Sequence, residues 1–199
     1  MSALGPIGPG TVHIAIDMQV LFTPPARWVV PDMDRIVPNI RRVATTHPSR
    51  TLFTRFIVPE RAETARGCWR GYYDHWWDFT GEHLPEGRLD LLEALRPLAP
   101  SEAIIDKPTH SAFEVPELER QLATLGATTL VLTGVETDVC VLATALTAID
   151  RGYRIIVVAD AVTSSSPEGH AATLNAILPR FDRQAEIMDT ATLLAEWHA

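Results

Sequence analysis

Hydrophobic and polar positions along the chain alternate between two periods. Thr11 to Ile16 alternates into VHIAID, the form of a strand that delivers Asp17 at its carboxyl end. Asp32 to Thr46 follows with apolar residues at helical spacing, although Pro38 weakens its middle. The same exchange recurs down the chain. Arg50 to Val58 reads as the second strand, Ala103 to Asp106 as the third, and Pro116 to Leu125 as a helix. Leu130 to Leu132 form a fourth apolar run that Gly134 ends. Thr137 or Asp138 can cap the next helix, in which Val139, Leu142, Ala143, Leu146 and Ile149 recur until Gly152 closes it. Arg154 to Ala159 is the fifth strand and Ala185 to Met188 a short sixth, with helices over Glu168 to Leu178 and Thr190 to Trp197. This alternation predicts an α/β fold: a six-stranded, mainly parallel sheet with right-handed crossovers and helices on both faces, a three-layer Rossmann-like domain.

One stretch breaks the rhythm. Residues 59–88 hold Trp69, Tyr72, Tyr73, Trp76, Trp77 and Phe79 within an insertion too long for an ordinary connection. A lid, a pocket wall, a subunit contact and a local hydrophobic cluster all fit that composition.

Composition narrows the class. The 199 residues are 46% hydrophobic, enough for one domain over 1–199 with a substantial core. A formal net charge of −8 argues against a general nucleic-acid surface. No apolar run approaches the roughly 20 residues of a membrane span, and MSALGPIGPG lacks the basic and apolar parts of a signal peptide, so the cytoplasm is the default. The glycines of that opening precede the first strand, which reads as a flexible leader over 1–10 and not a dinucleotide-binding loop. Cys68 and Cys140 supply neither a disulfide framework nor a CxxC zinc motif.

The chemistry concentrates at strand ends. Cys140 falls in the first turn of a helix that follows a buried strand, where free N–H groups and the helix dipole favour a thiolate and can hold an oxyanion. A small buried core cysteine is the alternative. Asp17 closes the first strand, a position that also suits a turn aspartate. Lys107 follows the third strand, where a solvated lysine is equally ordinary. Together, cysteine, lysine and aspartate at three strand ends make a coherent nucleophile, anion stabiliser and proton shuttle. Cys68, with no evident helix start beneath it, reads as a bystander.

IAIDMQ around Asp17, DKPTHSAF around Lys107, TGVETDVCV around Cys140, and GYRIIVVADAVTSSS followed by His170 resemble the isochorismatase-like cysteine hydrolases, a family with nicotinamidases and N-carbamoylsarcosine, ureidoacrylate and biuret amidohydrolases among its members. The resemblance covers nearly the whole chain. It implies strand order 3-2-1-4-5-6, an Asp17, Lys107 and Cys140 triad, and a cis peptide between Val135 and Glu136 that aims the Glu136 N–H beside that of Cys140 as an oxyanion hole. It further implies a homodimer or homotetramer and hydrolysis of a small amide, ureido or carbamoyl compound through a thioester, without a cofactor. Nicotinamidases carry an Asp-x-His metal motif after strand 2. Phe56 and Val58 stand there in this chain, so no metal is expected, and His75 and His83 are weak candidates without fixed spacing. Phe22, Trp28 and Phe113 are candidate walls for a small planar substrate. Arg55 offers a fork for a substrate carboxylate or carbonyl, or else a structural ion pair. His110 is a second polar contact, and His170 is expected to tether the start of its own helix.

Overall fold

The computed structural model describes Ser2 and residues 4–198. Its six strands are β1 (Thr11–Ile16), β2 (Thr51–Phe56), β3 (Ile104–Lys107), β4 (Thr129–Gly134), β5 (Arg154–Val162) and β6 (Ala185–Met188). They form one sheet in the order β3-β2-β1-β4-β5-β6, and every pairing is parallel. The helices are α1 (Met33–Thr46), α2 (Cys68–His75), α3 (Pro116–Thr124), α4 (Leu142–Asp150), α5 (Pro167–Ala172) and α6 (Thr190–Glu196).

Strand alternation divides the apolar side chains between two cores. Val12, Ile14 and Ile16 of β1 join Leu130 and Leu132 of β4 against Leu118 and Leu122 of α3 and Ala145 and Ala148 of α4. Ala15, Val131 and Ile156 point the other way, onto Ile36, Ile40 and Val43 of α1 and Leu193 of α6. Helices therefore cover both faces. α1 runs unbroken through Pro38, because its buried stripe of Ile36, Val37, Ile40 and Val43 outweighs one missing N–H.

Three expectations need correction. The opening segment is docked: Ile7 is buried and bridges Trp197, and the Ser2 hydroxyl donates to the Glu186 carboxylate. An apolar residue in GPIGPG suffices to anchor it. The insertion is also not structureless, since α2 occupies its centre and Cys68 is the first residue of that helix. Finally, α5 stops at Ala172, and a π-helical turn over Thr173–Ile177 continues it.

Gly134 ends β4 at a φ of 103°, where a Cβ would collide with the Ile16 carbonyl oxygen. Gly134→Ala is expected to destabilise the chain by at least about 2 kcal/mol, since both the conformation and the close approach require glycine. Chemical denaturation of the two proteins checks this.

Candidate active site

Parallel register brings the strand ends to one crevice. Ile16 pairs with Gly134 across β1 and β4, so Asp17 leaves the sheet beside the turn that leads to Cys140. Asp17 itself sits at a φ of 52°, an uncommon backbone state for a residue with a side chain. Its N–H bonds to the Thr54 carbonyl, and the Thr54 hydroxyl donates to Asp17 Oδ1 at 2.6 Å. Gln19 locks the neighbouring strand end, accepting from the Phe56 N–H and donating to the Phe56 and Leu89 carbonyls.

Lys107 belongs to β3, two strands from β1. Its side chain crosses the end of β2 over the Phe56 ring and places Nζ 2.7 Å from Asp17 Oδ2, with both side chains fully buried. Nζ also donates to the Thr109 carbonyl at 2.9 Å. Burial alone would lower the lysine pKa, but the Asp17 carboxylate, above all, offsets it and holds the group above the ordinary lysine range.

Cys140 shares this crevice with Asp17 and Lys107, both of which act on its thiol, and its Sγ is 3.9 Å from His110 Nδ1. It sits in a π-helical turn, Thr137–Val141, that precedes α4. Neither Thr137 nor Asp138 caps that turn with its side chain. Thr137 Oγ1 instead meets His170 Nδ1 at 2.9 Å, and Asp138 accepts from the Ser164 hydroxyl. His170 thus ties α5 to the cysteine turn and does not serve its own helix start. The peptide between Val135 and Glu136 is cis, and among the described residues the Glu136 N–H has no hydrogen-bond partner.

The thiol departs from the sequence expectation of a depressed pKa. Burial and then the Asp17 carboxylate push it up, and Lys107 only partly opposes them. The resting sulfur is a protonated thiol with a base and a cation in the same crevice.

Above Cys140 opens a cavity of about 270 Å³. Phe22, Trp28, Phe56, Tyr72 and Trp76 wall it, and His110 and Glu136 reach into it. Trp28 is the hub: it stacks on Phe79 at 3.9 Å and meets Tyr72 and Trp76 at 5.8 Å each. Part of the insertion is therefore pocket wall. Two candidate substrate-binding residues lie outside the cavity lining, and Arg55 takes the structural ion-pair alternative. Arg55 makes a bidentate ion pair with Asp106, its register partner on β3, at 2.7 Å through both nitrogens. Phe113 packs in the core beneath α4, against Tyr153 and under the Arg151 guanidinium. Phe113 was a candidate wall because it follows a catalytic strand, but the short turn over Ala112–Glu114 folds it inward. Thr54, Tyr72, Trp76 and the Glu136 side chain were not singled out from sequence. The clustering of aromatics over 69–79 was the signal for two of them.

The end of β2 does not suit a metal. It presents the Phe56 ring to the cavity, and among the described residues no group of three His, Cys, Asp or Glu is placed to hold an ion.

Residues 11–192 match the isochorismatase domain. The chain belongs to the isochorismatase family. Its relatives are of several kinds. Ureidoacrylate amidohydrolase RutB of Methylobacterium radiotolerans is 41% identical over 85 residues, 42% of this chain and 33% of that one. The first curated relatives are spanned for only about a third to a half of their length. A cysteine hydrolase from Pseudomonas syringae pv. phaseolicola superposes with a TM-score of 0.80 at 25% identity, covering 97% of this chain and 95% of that one. Pyrazinamidase of Pyrococcus horikoshii, solved in complex with zinc, aligns at 0.67 and 25% identity over 91% of this isochorismatase-family chain and 99% of its own. Among the described residues no helix is long and apolar enough to cross a membrane.

Proposed function

We propose that this isochorismatase-family hydrolase cleaves a carbon–nitrogen bond in a small amide, ureido or carbamoyl compound, with Cys140 as nucleophile. The observation that carries the reading is the buried Asp17 and Lys107 pair in reach of a thiol at the floor of an aromatic cavity. Asp17 takes the thiol proton as sulfur attacks the carbonyl carbon, and Lys107 holds the site's negative charge while sulfur and carbon bond. The unpartnered Glu136 N–H and the N–H of Cys140 serve the tetrahedral oxyanion. Collapse breaks the carbon–nitrogen bond, and Asp17 returns its proton to the departing nitrogen. Water then gives its proton to Asp17 and hydroxyl to the thioester, releasing the acid and regenerating the thiol once that proton returns to sulfur. The resemblance to amidohydrolases and to a cysteine hydrolase supports this choice of bond. Assembly into a dimer or tetramer belongs to the same reading.

Acid quenching during turnover of a reactive amide is expected to leave wild-type protein heavier by the acyl group, with the added mass on the Cys140 peptide. Cys140→Ala should carry no adduct and lose at least about 10⁴-fold in kcat. Amide hydrolysis persisting in Cys140→Ala would remove the covalent mechanism.

A further inference from the structure

The charge inside the cavity narrows the substrate beyond the bond that is broken. Two charged side chains line the space above Cys140, Arg27 and Glu136. Arg27 is committed at the rim, where its guanidinium lies 4.4 Å above the Trp76 ring and pairs with Asp78 at 3.2 Å. Lys107, beneath the floor, is neutralised by Asp17. Burial and then Lys107 lower the pKa of His110, which leaves that ring neutral near pH 7.

Among the described residues Glu136 has no such counter-ion. Its carboxylate is oriented from one side by a neutral donor, the Ser165 N–H at 2.9 Å, while the nearby Ser164 hydroxyl donates to Asp138. Tyr72 and His110 line the same cavity, and both feel the Glu136 charge. One uncompensated negative charge is thus set into a wall of five aromatic rings, whose faces are themselves electron-rich.

We propose that Glu136 and this aromatic wall select substrates with a cationic group at the end remote from the scissile amide, and reject acyl groups that carry a carboxylate. The inference rests on the amidohydrolase reading for the position of the amide over Cys140, but the charge preference itself does not need turnover. A carboxylate entering the cavity would lose hydration and meet Glu136 with no free cation among the described residues to receive it. An alkylammonium group would lie against Trp28, Tyr72 and Trp76 with Glu136 beside it. The cavity of about 270 Å³ has room for a small amide that ends in a quaternary ammonium.

The probe set is three primary amides on a three-carbon spacer, ending in trimethylammonium, in its neutral tert-butyl isostere, and in a carboxylate. Binding is read by tryptophan fluorescence in Cys140→Ala, and kcat/KM by ammonia release from the wild type. The cation is expected to bind about tenfold tighter than the neutral isostere, and the carboxylate at least about tenfold more weakly than it. Glu136→Gln, in the Cys140→Ala background, should bring the cation and neutral affinities together. Equal or inverted affinities in the chain that keeps Glu136 overturn the proposal, and that comparison decides even if Glu136→Gln fails to fold. A cation preference that survives Glu136→Gln overturns the role of the carboxylate. The predicted binding order without hydrolysis of any amide would instead defeat the amidohydrolase reading and leave the charge selection standing.

Discussion

Asp17→Asn is expected to slow hydrolysis while making Cys140 easier to alkylate. Turnover should fall about 10³-fold, because the thiol proton loses its acceptor and the departing nitrogen its donor. Alkylation should respond in the opposite sense. Burial is the largest influence raising the Cys140 pKa and Asp17 the next, while Lys107 is the group that lowers it. Removing the carboxylate leaves the ammonium unopposed beside the sulfur, so the midpoint of iodoacetamide labelling should drop by at least about one pH unit. Asparagine keeps an oxygen for the Thr54 hydroxyl, so the strand end loses little support. Lys107→Met should shift the midpoint upward. It should also cost about 3 to 5 kcal/mol of stability, since it leaves Asp17 charged and unpaired in a site with no exposure. Peptide mass spectrometry across pH reads both variants, with exposed Cys68 as the internal standard. A parallel fall of turnover and labelling in Asp17→Asn would mean that the aspartate only holds the site's shape.

The second large effect is on acid stability, and its source lies away from the cavity. His13 is wholly buried in β1, with its ring between the Thr133 hydroxyl at 2.8 Å and the Thr51 hydroxyl at 3.3 Å. Burial, and to a lesser degree the neighbouring His47, lowers its pKa from 6.5 to about 3. Above pH 6.5 the ring is neutral whether the chain is folded or not. Between pH 6.5 and about 3 the unfolded chain takes up a proton that the folded chain refuses, so stability falls as pH falls through that window. The loss grows by up to about 1.4 kcal/mol per pH unit, reaching on the order of 5 kcal/mol at the lower end. His13→Gln keeps a polar reach toward Thr133 without a titratable ring. Its stability should decline less than that of the wild type between pH 6.5 and 5, before most carboxylates protonate. Denaturation midpoints at half-unit steps of pH test this, and identical slopes would show that His13 is not the acid-sensitive group.

Periodicity was enough for the frame of the fold. β6 falls on Ala185–Met188 as expected, and β3 shifts by a single residue to take in Lys107. These runs were legible because strand and helix burial each impress a spacing on the sequence that no other element shares. The family motifs supplied the strand order, which periodicity does not contain. Capping was less legible. Thr137 and Asp138 have the chemistry of caps, yet both spend their side chains on the α5 region. His170 was assigned to its own helix because local partners are the only ones a sequence presents. Arg55 and Phe113 stayed open between two roles for a related reason: a guanidinium and a ring suit pockets and packing equally, and what stands opposite them in the sheet or under a helix decides between the two.

What the sequence by itself determined was the alternation of elements, the placement of Asp17, Lys107 and Cys140 at strand ends, and membership of a hydrolase family. These follow from composition and order along one dimension. The tertiary structure alone decided how Lys107 crosses β2 to reach Asp17, and that the Cys140 thiol is raised and not depressed. It also decided that, among the described residues, Glu136 stands without a counter-ion beside aromatic rings. Each of these depends on burial and on the distance between groups brought together from separate segments. Charge–charge energies and desolvation vary steeply with just those quantities, and neither is written in the spacing of residues along a chain.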